Sequence, residues 1–515
     1  MVKFGNYSIP DEFTWIGDWA ERRAILTPNR EAIFDNIEKR LYTYKDLNVR
    51  ANKLARVLLN EGISKGDRVA TFSTNRIESI DLFLATGKIG AILVPFNIRL
   101  SIQELESLLK KIKPSIFFYE CKFEKLVSQI KEKALVQKYI AIGNEILEDN
   151  TVESLTKKVP NKEIDRPIIN FEDPHLILFT GGTTGLPKGA VLSHRLIFWN
   201  SVNTILSWSL KPDDIQPLLF PLFHTGGWNV LLVPFYHLGA KTILMGDFDP
   251  EETIKVIDKE QCSIVIGVPT MFHMMANSPL YEKTNFNSVR IFISGGAPCP
   301  VAIMEKYWAK NKLFKMGYGL TEVGPNNFFL PEVKIKEKPT SVGLPVFHCD
   351  MKIINTKTDK IVKQGEVGEL MLKGPHIFSG YWEEPEETKK TIEPNGWVHT
   401  GDLAMQDDEG FYYIVGRRKE MYISGGENVY PVEIEELLFK HPAIDLAAVI
   451  GVPDEKWGEV GKVFLTLKSD HKISIEEIRN YLTERLAKYK IPKYFEIRES
   501  LPTSATGKIL KRELE

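Results

Sequence analysis

The sequence predicts an α/β protein with a large N-terminal domain of helix and strand layers, a β-rich subdomain, and a small α+β C-terminal domain. The chain has 515 residues, more than one hydrophobic core usually serves, so two or more domains are expected. Strands alternate with helices from about residue 175, and short strands separated by turn residues begin near Gly365. We place the N-terminal domain at 1–416 and the C-terminal domain at 417–515.

The alternating region is the most regular part of the sequence. Its predicted strands are HLILFT, GAVLSH, KTILMG, CSIVIGVP and VRIFISGG. Its predicted helices are Leu196 to Leu210, DPEETIKVIDKEQ, TMFHMMANS and PVAIMEKYWAKN. In the second of these, Asp249 is the expected N-cap and Pro250 the first helical residue. Strands that alternate with helices of about ten residues imply right-handed crossovers and a largely parallel, helix-covered sheet.

The last part of the chain follows a different pattern. GEVGELMLKG and GFYYIVG predict short strands of the β-rich subdomain. An amphipathic helix follows, with Pro431 near its start and Ile434, Leu437 and Leu438 on one face. DLAAVIGVP and KVFLTLK predict strands, and SIEEIRNYLTERLAKYK predicts a helix. Roughly the last hundred residues therefore predict a compact α+β domain joined through Arg417 to Lys419.

Composition excludes several classes of protein. Hydrophobic residues make up 43%, charged residues 26%, and the formal net charge is -2, which gives no field that attracts nucleic acid. The four cysteines, Cys121, Cys262, Cys299 and Cys349, are too scattered for a zinc site or a disulfide framework. With no signal peptide, no apolar run of about 20 residues and no terminal SKL, we expect a cytoplasmic protein without a transmembrane segment. A homodimer stays open.

The strongest local signal is a Gly/Thr-rich run, TGGTTGLPKG, directly after a predicted strand. Its glycines let backbone N–H groups approach a polyanion, its hydroxyls add donors and its lysine adds charge, although a flexible turn is the alternative. It is not a Walker A loop, because Pro187 stands where that motif needs Gly and Gly189 where it needs Ser or Thr. The residues predicted to bind a pyrophosphate-bearing ligand are Thr180, Gly181, Gly182, Thr183, Thr184, Gly185 and Lys188.

This run resembles the phosphate loop of the adenylate-forming superfamily, which contains acyl- and aryl-CoA synthetases, luciferases and peptide-synthetase adenylation domains. Further motifs occur in the family's order: GYGLTE at Gly317 to Glu322, TGD at Thr400 to Asp402, GRRKEMYISGGENVYPVEIE at Gly416 to Glu435, and PTSATGKILKREL near the C-terminus. The resemblance extends from about Phe171 to the end, and LYTYKDL at Leu41 to Leu47 is similar but less diagnostic. It implies an enzyme that uses ATP, Mg2+ and coenzyme A, with a C-terminal domain that moves.

The resemblance assigns the nucleotide site. Thr321 is similar to the residue that bonds the α-phosphate, and Glu322 to the one that holds Mg2+. A lone Thr-Glu pair is more often a helix cap, and the GYG before it favours the functional interpretation. Tyr318 is expected to stack on adenine, and the SGGAP run to line its other face. The residues that share the nucleotide role are Gly296, Ala297, Pro298, Tyr318, Gly319 and Thr321.

The resemblance also assigns the ribose and the catalytic lysine. Asp402 would accept both ribose hydroxyls and Arg417 would bond the same ribose, although an Asp in a turn is usually only a turn residue. Lys508, in a tail where a lysine is usually solvated, would bridge the substrate carboxylate and the α-phosphate in the first half-reaction. Its truncation should lower adenylation far more than thioester formation. The predicted catalytic set is Lys508, Thr321, Glu322, Thr180 and Lys188.

The hinge and the coenzyme A site follow from the same resemblance. Lys419 matches the hinge position, although a hinge needs only to tolerate a φ/ψ change. The Ser424, Gly425 and Gly426 loop suits close approach of a narrow pantetheine arm, and a plain turn is the competing interpretation.

The predicted acyl-binding residues come mainly from the run PLFHTGGWN, which contains His224 and Trp228. His224 resembles an acyl-pocket gate, and it is not assigned as a base because the carboxylate is already ionised near neutral pH. Gly295 and Trp228 are predicted to bind the substrate. Trp228, Met271 and Phe272 are, as apolar residues, equally compatible with the same pocket or with an ordinary core.

Three functions are compared on these residues. We favour a CoA ligase for a medium- or long-chain fatty acid over one for an aryl acid. An adenylate-forming enzyme with another acceptor, such as a carrier protein or oxygen, is the first alternative. A nucleotide-binding regulatory protein without turnover is the second, and the intact Glu322, Asp402 and Lys508 argue against it.

Overall fold

The structure, a computed structural model, describes residues 3–4, 7–8, 13–133, 135–143, 149–180, 187–469, 471–504 and 507–514. Its helices in these ranges are α1 (Trp19–Leu26), α2 (Tyr44–Asn60), α3 (Ile77–Ile89), α4 (Ile102–Ile112), α5 (Glu124–Lys131), α6 (Val152–Thr156), α7 (His194–Ser207), α8 (Leu232–Leu238), α9 (Pro250–Lys259), α10 (Pro269–Ala276), α11 (Pro279–Lys283), α12 (Val301–Ala309), α13 (Pro385–Thr391), α14 (Pro431–Phe439) and α15 (Ile475–Thr483).

The strands in the same ranges are β1 (Lys3–Phe4), β2 (Tyr7–Ser8), β3 (Glu31–Asp35), β4 (Arg40–Thr43), β5 (Arg68–Phe72), β6 (Ile92–Pro95), β7 (Ile116–Glu120), β8 (Tyr139–Ile142), β9 (Pro174–Thr180), β10 (Lys188–Ser193), β11 (Ile215–Leu218), β12 (Lys241–Leu244), β13 (Ile264–Gly267), β14 (Ile291–Ser294), β15 (Leu313–Met316), β16 (Phe328–Phe329), β17 (Ser341–Pro345), β18 (Asp350–Ile354), β19 (Gly368–Lys373), β20 (Val398–Gln406), β21 (Tyr412–Arg417), β22 (Tyr422–Ser424), β23 (Glu427–Val429), β24 (Ile444–Asp454), β25 (Gly458–Leu467) and β26 (Tyr494–Ile497).

The helix and strand layers of the N-terminal domain contain three sheets instead of the one expected. A six-stranded sheet has the order β10-β9-β6-β5-β7-β8, a four-stranded sheet the order β11-β12-β3-β4, and a third sheet joins β13, β14 and β15. Strands β11 and β12 pair with the N-terminal strand β3, and such a long-range partner is not visible in a local pattern. The prediction of a single sheet was therefore wrong, while the prediction of αβ layers is confirmed.

Most pairs in these sheets are parallel, as the sequence predicts, but β9 and β10 are antiparallel. Their register pairs Thr180 with Lys188. A parallel pair needs a long crossover, whereas the connection between these strands is too short for one. The two ends of the Gly/Thr-rich run therefore lie opposite each other at one end of the hairpin.

The β-rich subdomain is a six-stranded antiparallel sheet with the order β16-β17-β21-β20-β19-β18. The C-terminal domain has its own sheet, in which β22, β23, β24 and β25 pair antiparallel and β26 pairs parallel with β25. Buried residues of α14 and α15, including Ile434, Leu438, Ile478 and Leu482, pack on this sheet. The predicted large N-terminal and small C-terminal domains are confirmed.

Two predicted helices have different limits. Helix α7 begins at His194 because the Ser193 side chain accepts a hydrogen bond from the Leu196 N–H, and it ends at Ser207 instead of Leu210. Helix α15 ends at Thr483, so the second half of its predicted run is not α-helical. The chain turns there because β26 must return beside β25. None of the helices in the described ranges has the length and apolar character that crossing a membrane requires.

Candidate active site

The two segments predicted to enclose adenine lie side by side. Each follows a strand of the same parallel sheet, so both leave it at the carboxyl edge. The Gly317 N–H donates to the Ser294 carbonyl at 2.8 Å, and the Gly295 N–H donates to the Gly267 carbonyl at 3.0 Å. Gly296 has φ +80°, a conformation that favours glycine and turns the SGGAP run away from the strand.

Gly319 stands where no side chain fits. A Cβ placed on it would lie 2.3 Å from the Pro325 carbonyl carbon and 2.4 Å from the Gly324 carbonyl oxygen. The turn is closed by the Asn327 N–H, which donates to the Tyr318 carbonyl at 3.2 Å. Close packing of two backbone segments, and not only access for a nucleotide, therefore requires this glycine.

Tyr318, Asp402 and Arg417 form one network. The Tyr318 hydroxyl donates to Oδ2 of Asp402 at 2.6 Å, and Nε of Arg417 lies 2.7 Å from Oδ1. Strand pairing sets Asp402 opposite Arg417 in the antiparallel sheet. Burial raises the pKa of the Asp402 carboxyl, an effect that the Arg417 charge opposes. The sequence predicted these three residues in one site but not their mutual bonds.

The TGD motif is shaped by its own backbone bonds. Thr400 Oγ1 donates to the Leu370 carbonyl at 2.7 Å and accepts from the Asp402 N–H at 3.1 Å. Gly401 has φ +69°, and its N–H donates to the buried Glu369 carboxylate at 3.2 Å. The threonine and glycine therefore fix the direction of the Asp402 side chain.

Lys508 is half-buried in the same region, although it comes from the C-terminal end of the chain. Burial, and next the Arg417 charge, lower the pKa of its ammonium group, while Glu420 and Asp402 act in the opposite direction. The Gly507 carbonyl accepts a hydrogen bond from the Thr270 hydroxyl at 2.9 Å. The structure thus brings the predicted lysine to the predicted ribose site.

His224 lies within electrostatic reach of Lys508. Burial, followed by the Lys508 charge, lowers the pKa of His224 to about 4. Its Nδ1 accepts a hydrogen bond from the Gly226 N–H at 3.0 Å, which puts the ring proton on Nε2. A neutral imidazole beside the lysine agrees with a binding residue and gives no sign of a general base.

The contacts of Trp228 do not support its predicted contact with substrate. The indole is fully buried, donates its N–H to the Leu222 carbonyl, and stacks on Phe83 with ring centroids 4.9 Å apart. Phe272 is also fully buried, packed against Tyr307 and other aromatic rings, and Met271 is 7% exposed. These are the contacts of core residues, so the core interpretation is the better one for Trp228 and Phe272.

The phosphate end of the site includes Thr180 and Lys188, whereas Gly181, Gly182, Thr183, Thr184 and Gly185 lie outside the described residues. Lys188 forms an ion pair with Glu387, and its ammonium lies 5.2 Å from the centre of the Tyr381 ring. The Tyr381 hydroxyl donates to Oε1 of Glu322 at 2.9 Å. Hydrogen bonds from Lys188 and Lys390 lower the pKa of Glu387 to about 2.

Sequence reasoning missed Tyr381 and Glu387. Tyr381 is 59 residues from Glu322 in sequence, and only tertiary packing brings the two together. The sole signal was a run with a glycine, two aromatic residues and four acids, Gly380 to Glu387, which is also ordinary for an exposed loop.

Comparison with known proteins agrees with this geometry. Residues 20–382 match the model of the AMP-binding enzyme family, and residues 433–508 match that of the AMP-binding enzyme C-terminal domain. The chain belongs to the AMP-binding enzymes. Within that family it falls in the acyl-CoA synthetase branch of the adenylate-forming superfamily, which confirms the predicted resemblance and the predicted class of AMP-forming acid–CoA ligase.

This AMP-binding enzyme is similar in sequence to two CoA ligases and in structure to a third protein. It is 34% identical over 499 residues to a feruloyl-CoA synthase of an Amycolatopsis species, covering 97% of this chain and 98% of that one. It is 33% identical over 504 residues to the long-chain-fatty-acid–CoA ligase FadD13 of Mycobacterium tuberculosis, covering 97% of each. ATP-bound MatB from Rhodopseudomonas palustris superposes with a TM-score of 0.89 at 29% identity, covering 97% of this chain and 98% of that chain.

In this AMP-binding enzyme the predicted coenzyme A loop is the turn of the β22–β23 hairpin. Gly425 has φ +61° and Gly426 φ +90°, as a tight hairpin turn requires. The Gly425 N–H donates to the Trp457 carbonyl at 2.9 Å, and both glycines are exposed. Turn geometry alone explains the glycines, so the coenzyme A role stays a prediction. Lys419 lies in the exposed turn after β21, and its hinge role also stays a prediction.

Glu322, the residue predicted to hold Mg2+, offers a ligand suited to a hard cation. Oε1 of Glu322 accepts the Tyr381 hydroxyl, and Oε2 has no protein partner in the described part of the chain. A carboxylate oxygen is the type of ligand that Mg2+ takes together with phosphate oxygens and water. The acidic group Asp18, Glu21 and Glu163 is different, because the buried Lys88 ammonium forms ion pairs with two of its members.

Proposed function

We propose that this protein is an ATP-dependent acyl-CoA synthetase. It converts a carboxylate and ATP to acyl-AMP and pyrophosphate, and it then transfers the acyl group to the thiol of coenzyme A with release of AMP. The observation that carries the proposal is the position of Lys508, which is half-buried and lies within electrostatic reach of Asp402 and Arg417. A protein that only bound a nucleotide would have little need of a lysine delivered there from another domain.

The chemistry explains why cations are needed at both ends of the site. Attack of a carboxylate on the α-phosphate brings two anions together, so the protein must supply charge where negative charge builds up. Lys188 and Thr180 would serve the leaving pyrophosphate, while Thr321 and Lys508 would serve the α-phosphate. The substrate carboxylate is already ionised and needs no general base. His224 can therefore line the acid site as a neutral group.

Nucleotide binding is assigned to the Tyr318, Asp402 and Arg417 network. A carboxylate has about four acceptor positions, so Asp402 can accept the ribose hydroxyls while it keeps its bonds to Tyr318 and Arg417. Adenine would lie between the Tyr318 ring and the Gly296 to Pro298 segment. Mg2+ on Glu322 would neutralise phosphate charge when bound.

The second half-reaction is assigned to another arrangement of the C-terminal domain. We propose rotation about Lys419, with residues 417–515 moving against 1–416, so that Ser424, Gly425 and Gly426 meet the pantetheine arm. Gly425 and Gly426 are exposed at a hairpin tip, which leaves them accessible for that contact.

The acid is proposed to be a medium- or long-chain fatty acid. FadD13 carries the name of a fatty-acid ligase, whereas the feruloyl-CoA synthase carries the name of an enzyme for an aryl acid. Both relatives are similarly distant, so an aryl acid is the second arm of the test.

The test is an incubation with ATP, Mg2+, coenzyme A and a panel of fatty and aryl acids. We expect AMP and pyrophosphate to form in equal amounts with at least one acid, with AMP formation dependent on coenzyme A. Preference for C8 to C18 acids over cinnamic or benzoic acids would support the fatty-acid proposal, and the reverse would overturn it. Absence of acid-dependent pyrophosphate release across the panel would argue against the enzyme itself.

A further inference from the structure

Helix α10 contacts the segment that carries Lys508. The Thr270 hydroxyl, in the first turn of α10, donates to the Gly507 carbonyl at 2.9 Å. Gly507 has φ +78°, and a Cβ on it would lie 2.7 Å from Thr270 Oγ1 and 3.1 Å from a Val268 methyl. The C-terminal segment therefore approaches this helix as closely as a glycine permits, one residue before the lysine.

The same helix contacts the C-terminal domain at a second point. Nε2 of His273 lies 2.7 Å from Oδ1 of Asp445, in strand β24 of the C-terminal sheet. The side chains are 16% and 29% exposed, so the pair is largely shielded from water. The hydrogen bond to His273 is the main reason why the pKa of Asp445 is lowered.

The Thr270 and His273 contacts lie on one face of helix α10. Residues three apart lie on the same face of a helix, so Thr270 and His273 face the C-terminal domain together. Their partners, Gly507 and Asp445, belong to separate segments of that domain. With one contact, the C-terminal domain could still pivot on helix α10. Two separated contacts also limit its rotation.

We propose that helix α10 is the docking element for the adenylation half-reaction, with Thr270 and His273 as positioning residues that hold Lys508 in place. Neither is assigned to the nucleotide or to the acid, so both act through the C-terminal domain. The proposal rests on the proposed function and deepens it by naming the contacts that must break before coenzyme A can be used. A contact that only stabilised the fold would affect both half-reactions together.

The test measures the two half-reactions separately in the full-length protein. Adenylation is followed by acid-dependent exchange of pyrophosphate into ATP, and thioester formation is followed from supplied acyl-AMP and coenzyme A. The variants are Thr270→Val, which keeps the side-chain shape, and Asp445→Asn, which removes the charge. Thr284→Val and Glu496→Gln are the controls, because their bonds, to Leu280 and to Lys462 and Arg498, stay within one domain.

We expect Thr270→Val and Asp445→Asn each to lower kcat of adenylation by about fivefold to tenfold, the effect of one lost hydrogen bond. KM for ATP, the unfolding temperature and the rate from supplied acyl-AMP should stay near the wild-type values. Both controls should match the wild type in both half-reactions. Wild-type adenylation by Thr270→Val, or equal losses in both half-reactions, would overturn the proposal.

A second measurement keeps the docking claim separate from the proposed function. If the unaltered protein released no pyrophosphate with any acid, the proposed function would fail while the docking contacts could still be tested. Hydrogen exchange at Gly507 and Lys508 should be faster in Thr270→Val than in wild type, because loss of the Thr270 contact loosens this segment. Unchanged exchange there would overturn the docking proposal by itself.

Discussion

Tyr381 connects the two groups that would handle the phosphates. Its hydroxyl donates to Glu322 and its ring lies beneath the Lys188 ammonium. By donating to Oε1, it leaves Oε2 of Glu322 as the oxygen that would bind Mg2+ under the proposed function. Outer partners of this kind orient a ligand and tune its affinity for metal.

Tyr381→Phe tests this role, since it removes one hydroxyl and keeps the ring. We expect the Mg2+ concentration for half-maximal adenylation to rise about tenfold, and saturating Mg2+ to restore most of the rate. Titration of pyrophosphate exchange with Mg2+ measures this. Tyr489→Phe, at an exposed position of the C-terminal domain, is the control. An unchanged Mg2+ dependence in Tyr381→Phe would show that Glu322 does not need the hydroxyl.

The change in the His224 pKa when Lys508 is removed reports whether the lysine lies near it in solution. Burial and the lysine charge both disfavour the imidazolium, so its pKa is lowered to about 4 and the ring should remain neutral from pH 5.5 to 8. An ordinary histidine titrates near 6.5. In Lys508→Ala one of the two causes is gone, so the pKa should rise. NMR of labelled histidine checks both, and an unchanged His224 pKa in Lys508→Ala would place Lys508 elsewhere.

At the scale of elements, local patterns predicted what local chemistry determines. Asp249 accepts from the Glu252 N–H as the N-cap of α9, with Pro250 first in the helix, as predicted. The strands that precede SGGAP and GYGLTE were also found, and their shared parallel sheet brings the two loops together. Pairing between distant segments was not predictable, as with β11 and β12 beside β3, because no local signal names a partner.

The candidate site shows the same division. Motifs named Tyr318, Asp402 and Lys508 one by one, whereas the bond from Tyr318 to Asp402 and the contact from Thr270 to Gly507 depend on packing. The sequence left Trp228 open between the substrate pocket and the core, and its fully buried indole favours the core.

Gly319 gives a prediction about the turn that presents Tyr318 and Thr321. An added methyl would overlap the Pro325 and Gly324 backbone, so Gly319→Ala must displace the turn. Such overpacking costs about 1–3 kcal/mol, and we expect a lower unfolding temperature together with a higher Kd for ATP. Gly246→Ala is the control, since its nearest neighbours would be at 3.6 Å. Thermal unfolding and calorimetric ATP binding equal to wild type in Gly319→Ala would refute this reading of the turn.

At the scale of the whole molecule, the C-terminal domain completes a site built on the N-terminal domain. The residues proposed for base, ribose and phosphate lie on the parallel sheets and the β-rich sheet, and under the proposed function Lys508 would reach them only while its domain is docked. A lysine supplied in this way can serve one half-reaction and be withdrawn for the other. The central claim is therefore that Lys508 acts in adenylation alone.

The most direct test replaces Lys508 with alanine and measures each half-reaction. Loss of one group that stabilises developing charge costs about 100-fold or more, so pyrophosphate exchange should fall by that factor. Thioester formation from supplied acyl-AMP should stay within about twofold of wild type. Lys493→Ala, an exposed lysine paired with Asp454 in the same domain, should match the wild type in both. Full adenylation by Lys508→Ala, or an equal loss in both half-reactions, would contradict the claim.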